Sequence, residues 1–190
     1  MAGVRVCPQF QPSHVGIYLM RIELFKDEEI WKTYLKELRS WMGTPYRHLQ
    51  GVKGRGADCT LFIAHAMKNV GLLTDVKHEY YPKDWNIHTR EEVVLEGAFR
   101  HFRENLPPGL TVDRFEENAR DGFKLYRGDL ITFKTNGSQC INHASVVLDD
   151  FDGRCQMSIQ AINTRVVDYF PLGKFWLKRQ RGGFRFYREI

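Results

Sequence analysis

The chain has 190 residues, 43% of them hydrophobic and 13% aromatic, with a formal net charge of +5. That is long enough to bury a core, and too apolar for a disordered or collagen-like chain. No apolar run reaches the length that spans a bilayer; the longest, in HVGIYLM, is short and interrupted.

The N-terminal run MAGVRVCPQFQPSH lacks the basic start, apolar stretch and cleavage site of a signal peptide, so synthesis in the cytoplasm is expected. The cysteines Cys7, Cys59, Cys140 and Cys155 stand at wide spacings with no C-x-x-C pair. Neither a structural zinc site nor a disulfide framework is expected from that pattern. The positive charge is concentrated in KFWLKRQRGGFRFYR, which favours anionic partners such as nucleic acid or cell-wall polymer. With no internal repeat and no Gly/Ser-rich linker, one continuous domain over residues 1–190 is the simplest organisation.

From Asp27 to Met42, Ile30, Trp31, Tyr34, Leu35, Leu38, Trp41 and Met42 recur at helical spacing, with Asp27 as cap and Gly43 as stop. Asp58 to Val70 reads as a second amphipathic helix, with Phe62, Ile63, Ala66, Met67 and Val70 on one face. Asp58 is its N-cap, which puts Cys59 at the first helical position. Thr89 and Glu92 form a capping box for a third helix, lined by Val94, Leu95, Ala98, Phe99 and Phe102. The stretch around NLPPGL and Gly122 reads as irregular. Then the period changes. RGDLITFK, NHASVVLDD, RCQMSIQAI, RVVDYF, KFWLKRQ and FRFYRE are short, β-branched or aromatic, and separated by turn signals. Helices followed by strands predict an α+β fold with an antiparallel sheet.

At a helix start, unsatisfied N–H groups and the helix dipole favour a thiolate at Cys59. A nucleophilic cysteine also needs a base and a group that holds the base's tautomer. His143 opens the strand HASVVL, and RCQMSIQAI returns after DDFDG. A loop over Asp150–Gly153 sets residue 143 opposite residue 160. A two-residue Asp152–Gly153 turn makes His143 and Gln160 diagonal neighbours on one face. A three-residue loop puts them on opposite faces.

Each residue has a plainer reading by itself: Cys59 as a core thiol, His143 as a satisfied sheet histidine, Gln160 as an exposed strand residue. Cys7, Cys140 and Cys155 read as core or strand residues. His65 lies almost two turns along the Cys59 helix, out of reach of the thiol. His48, close to Tyr46, can approach the site, and His88 beside Trp85 reads as a loop-packing residue. Phe175, Trp176, Phe184 and Phe186, interleaved with Lys178, Arg179 and Arg185, read as a hairpin with one core face and one solvated basic face. A nucleic-acid surface is the less favoured reading of that segment.

Taken in order, Gly43-Thr44-Pro45-Tyr46, a glycine-containing loop, Asp58-Cys59, RGDLITF and NHASVVL resemble the NlpC family of papain-like cysteine peptidases. The resemblance runs from about Trp41 to about Ile162. It implies a papain-like, NlpC-type α+β fold in which the Cys59 helix packs on a C-terminal antiparallel sheet. It implies amide hydrolysis with Cys59 as nucleophile, His143 as base and Gln160 orienting the imidazole, without metal or cofactor. Tyr46 matches a tyrosine that joins the Cys59 N–H in stabilising the oxyanion, and Asp58 matches a residue that contacts the amino group of a stem peptide. The implied substrate is a peptidoglycan stem peptide cut after D-glutamate. YYPKDWNIHTREE is similar to an insertion of phage-tail-associated members, which implies tail proteins as partners and the virion or cell wall as place of action.

The sequence also departs from the family pattern. Thr60-Leu61 stand where Ser-Gly follows the cysteine, RHLQGVKGRGA replaces an aromatic–Gly–Gly run, and Gln160 stands where a histidine is usual. Amidase, acyltransferase or deamidase chemistry on another acyl substrate stays open on these grounds. So does a cell-wall-binding or phage-tail module without turnover.

Overall fold

The computed structural model describes residues 20–190, except residues 78, 79, 136 and 153 and the side chain at 152. Cys7 lies outside the described residues. A short strand, β1 (Arg21–Glu23), leads into helix α1 (Glu28–Arg39). The Asp27 carboxylate caps that helix as expected, accepting from the N–H groups of Glu29 and Ile30 at 3.0 and 3.1 Å. The helix stops at Arg39, a turn short of Met42, and the chain reverses at Gly43 with φ 78°.

A hairpin that no local pattern announced, β2 (Gly51–Val52) with β3 (Gly56–Ala57), delivers the chain to α2 (Leu61–Asn69). A one-turn helix, α3 (Trp85–His88), precedes α4 (Val93–Asn105). The expected capping box at α4 does not form. Thr89 Oγ1 accepts from Glu91 N–H, while the Glu92 carboxylate accepts from Ile141 N–H at 2.7 Å. A donor arriving from the loop ahead of β6 (His143–Asp152) has displaced the local one.

The remaining elements are β4 (Leu110–Phe115), β5 (Leu130–Phe133), β6 (His143–Asp152), β7 (Cys155–Ala161), β8 (Val167–Pro171), α5 (Lys174–Leu177) and β9 (Gln180–Glu189). β4 occupies part of the stretch expected to be irregular. KFWLKRQ, expected as a strand, makes the helical turn α5 instead. In a strand Trp176 and Leu177 would face opposite ways; in a helical turn both reach the apolar cluster of Phe133, Val147 and Leu172. Phe184 and Phe186 of β9 lie in the main core, the core face expected, but with α5 helical the segment is not a hairpin.

Among the described residues the main sheet has seven antiparallel strands, in the order β1-β9-β5-β6-β7-β8, with β4 on the other edge of β9. Ala144, Val146, Leu148, Ile159 and Ala161 face the core shared with Trp31, Phe62 and Met67 of the helices. Ile131, Phe133 and Val147 pack on the opposite face. This is the α+β, papain-like arrangement expected. No described helix is long and apolar enough to cross a membrane.

The register of β6 on β7 decides the site. Asp152 pairs with Cys155, one residue later than an Asp152–Gly153 turn would give, and an irregularity between Val147 and Phe151 shifts the ladder. Val146 then pairs with Ile159, which sets Gln160 diagonal to His143 on one face. Turn and bulge together produce the diagonal arrangement.

Candidate active site

The Gly43–Tyr46 turn is fastened at several points. Gly43 N–H donates to Val167 C=O at 2.9 Å, Tyr46 N–H to Arg165 C=O at 2.8 Å, and Ala57 N–H to Pro45 C=O at 3.0 Å. Tyr46 is thereby clamped between β3 and the start of β8, where it lines a cleft of about 720 Å³. Cys59 and His143 line the same cleft, with His48, Tyr81 and Trp176.

Asp58 has the capping chemistry expected of it, displaced by two residues. Its Oδ1 accepts from Leu61 N–H at 2.7 Å and Thr60 N–H at 3.0 Å, and its Oδ2 from Leu49 N–H at 3.1 Å. The helix begins only at Leu61, so Cys59 sits in the turn before it rather than at its first position. Asp58 is 1% exposed and does not line the cleft. Its carboxylate is occupied by the backbone it organises.

Cys59 is 7% exposed. Burial, helped by the Asp58 charge, pushes its thiol up to about 12, against the pull of the N–H groups of Ala144 and of Cys59 itself. The lowered thiol expected from a helix start is therefore corrected. The cysteine precedes the helix, and desolvation outweighs the donors that remain.

His143 is 9% exposed, its ring stacked on Trp176 at 5.4 Å and 29° and tilted against Phe133 at 5.7 Å. Its Nε2 lies 2.5 Å from Gln160 Oε1. An amide oxygen only accepts, so Nε2 carries the proton and Nδ1 keeps the lone pair. Gln160 is fully buried, and its amide nitrogen reaches Ser158 Oγ at 3.5 Å. Burial pushes the imidazole down to about 4, with the Gln160 bond pulling the other way. The cleft thus holds a protonated thiol and a neutral imidazole.

Two residues of the cleft escaped sequence reasoning. Tyr81 sits edge-on to His48 at 4.9 Å and to Trp85 at 5.6 Å, and hydrogen-bonds Thr60. Burial and the charges of Asp58 and Cys59 push its phenol up. The aromatic run YYPKDW was its only signal. Trp176, read as a strand residue, covers the imidazole instead. His48 does approach the site, its Nε2 2.9 Å from Tyr81 C=O. His65 stacks on Trp41, away from Cys59. His88 is exposed and pairs with Asp84 at 3.1 Å rather than packing a loop. Cys140 is buried ahead of β6, and Cys155 is half-buried at the start of β7. Among the described residues no group of three or more His, Cys, Asp or Glu is placed to hold a metal ion.

The fold has a counterpart among solved structures. A Staphylococcus aureus protein described as similar to lipoprotein, NLP/P60 family, superposes with a TM-score of 0.50 at 15% identity, over 92% of this chain and 45% of its own. The chain thus spans somewhat under half of that protein's length, and the likeness shows the fold. No family model matches the chain, and no curated protein matches it in sequence.

Proposed function

We propose that the chain is a cysteine hydrolase that cleaves an amide bond, with a peptidoglycan stem peptide as substrate. The observation that carries this reading is the 2.5 Å contact of His143 Nε2 with Gln160 Oε1 beside a cleft that also contains Cys59. Neutral Nδ1 takes the thiol proton as sulfur attacks the carbonyl, and Gln160 Oε1 stabilises the imidazolium that results. The Cys59 N–H and the Tyr46 phenol receive the developing oxyanion. The imidazolium then protonates the leaving amine, and water releases the acyl group from Cys59. Asp58 acts by holding the turn that presents Cys59. The NLP/P60 description of the structural neighbour supports the cell-wall setting.

The test is digestion of purified muropeptides followed by mass spectrometry, with Cys59→Ala alongside. One amide opened by the wild type alone is expected. Identical product profiles from the two proteins would sink the reading.

A second reading has its own observation. A smaller, mainly apolar cavity of about 140 Å³, lined among others by Leu61, Ala64 and Phe102, shares Tyr81 and Val94 with the cleft. Thr60 and Leu61, the departures from the family pattern, both line it. This favours an acyl donor with an apolar chain, which hydroxylamine trapping across donors of increasing chain length would reveal.

A further inference from the structure

The sheet face that carries His143 packs Ile131, Phe133, Val147 and Leu172 against Trp176 and Leu177. Ser145 of β6, and Ser158 and Gln160 of β7, are fully buried on the same face. Polar groups buried among apolar side chains cost free energy unless their hydrogen bonds are made. Two of these residues form a chain with the imidazole. His143 Nε2–H donates to Gln160 Oε1 at 2.5 Å, Gln160 Nε2–H to Ser158 Oγ at 3.5 Å, and Ser158 O–H to Phe170 C=O on β8 at 3.3 Å. Phe170 in turn lines the Cys59 cleft.

Ser145 stands opposite Gln160, one step from the Val146–Ile159 pair, and its hydroxyl has no hydrogen-bond partner among the described residues. Of the two serines beside Gln160, only Ser158 joins the chain. The outer two bonds are long, so each is weaker than the bond to the ring, and the effect asked of them is modest.

The direction of the chain is set at its far end. A backbone carbonyl only accepts, so Phe170 C=O takes the Ser158 hydroxyl proton and leaves Ser158 Oγ its lone pairs. A lone pair calls for the NH2 end of the Gln160 amide, which turns Oε1 toward the ring. The two ends of an amide are alike in shape, so hydrogen bonds rather than sterics make that choice. A flipped amide presents N–H to the imidazole, demands a lone pair on Nε2 and moves the ring proton to Nδ1.

We propose that Ser158 is a positioning residue: it holds the Gln160 amide with Oε1 toward His143 and so keeps the imidazole proton on Nε2. The assignment rests on the amide-hydrolase reading for the use of the free Nδ1 as base.

The test reads the ring itself. Nitrogen NMR of histidine-labelled protein near neutral pH reports which ring nitrogen of His143 carries the proton, and a His143→Gln spectrum identifies the signals. The wild type is expected to show the Nε2–H form. Ser158→Ala should raise the Nδ1–H form severalfold and lower kcat about fivefold at constant KM. Ser158→Cys keeps the volume and offers only a weak acceptor, so it should shift the ring the same way, and it serves if the alanine variant does not fold. Ser145→Ala removes an equally buried hydroxyl that makes no bond, and should leave the ring in the Nε2–H form.

A ring unmoved in both Ser158 variants overturns the proposal. So does an equal shift in Ser145→Ala, the mark of general repacking. A tautomer that follows Ser158 in a protein that leaves muropeptides intact upholds the positioning role and rejects the amide-hydrolase reading. Muropeptides cut by the wild type, with the ring unmoved by Ser158→Ala, reject the positioning role alone.

Discussion

His143 Nε2 lies 2.5 Å from Gln160 Oε1 although the two are not register partners: one step from the Val146–Ile159 pair, Gln160 falls opposite Ser145. The long amide side chain spans the diagonal. Gln160→Ala is therefore expected to leave the fold intact and lower kcat by about tenfold to a hundredfold, because Nε2–H loses the acceptor that fixes the tautomer. Gln160→Glu puts a carboxylate against the ring and raises His143 from about 4, so the acid limb of the kcat/KM profile should move to higher pH. A limb that stays in place would show that the contact does not govern the base.

Alkylation of the native protein with iodoacetamide should find Cys59 protonated at neutral pH. Its rate is expected to rise only above the ordinary thiol value of about 8.5, since burial holds the thiol up. A plateau of fast labelling below pH 7, lost in His143→Ala, would instead reveal a thiolate–imidazolium pair.

Both groups shape stability against pH. His143 is held down to about 4 in the fold, so the unfolded chain binds the extra proton between that value and about 6.5. Stability should fall as pH drops through this window, by an amount on the order of 3 kcal/mol. Cys59 is held up to about 12, so its contribution should be lost as pH rises above about 8.5. Urea titrations should show the acid slope flattened in His143→Gln and the alkaline slope eased in Cys59→Ala.

Tyr46→Phe removes the phenol lining the cleft and keeps the ring. A fall in kcat of about tenfold to a hundredfold, with KM nearly constant, is expected of an oxyanion donor. Equal kcat values would confine Tyr46 to packing.

Asp58 separates structure from recognition. Asp58→Ala strips the acceptor from Thr60, Leu61 and Leu49 and should cost about 2 kcal/mol of stability, measured by denaturant unfolding. Asp58→Asn keeps Oδ1 for Thr60 and Leu61 and should recover most of it. A large KM increase in a stable Asp58→Asn protein would restore the expected contact with a substrate amine.

Short-range patterns in the sequence were enough to specify α1, the Asp27 cap, the reversal at Gly43 and the order of the Tyr46, Asp58-Cys59 and His143 motifs. These rest on periodicity, capping and turn chemistry, which act within a few residues. Tertiary structure decided the rest. Ile141 N–H took Glu92 from its capping box, and the apolar cluster around Phe133 turned KFWLKRQ from strand to helix. The bulge between Val147 and Phe151 chose among registers that turn length alone left open. Most consequentially, the sequence placed Cys59 where helix donors should lower its thiol, and the folded chain raised it by burying it. Desolvation depends on residues far along the chain, so no local pattern could foretell its sign of dominance.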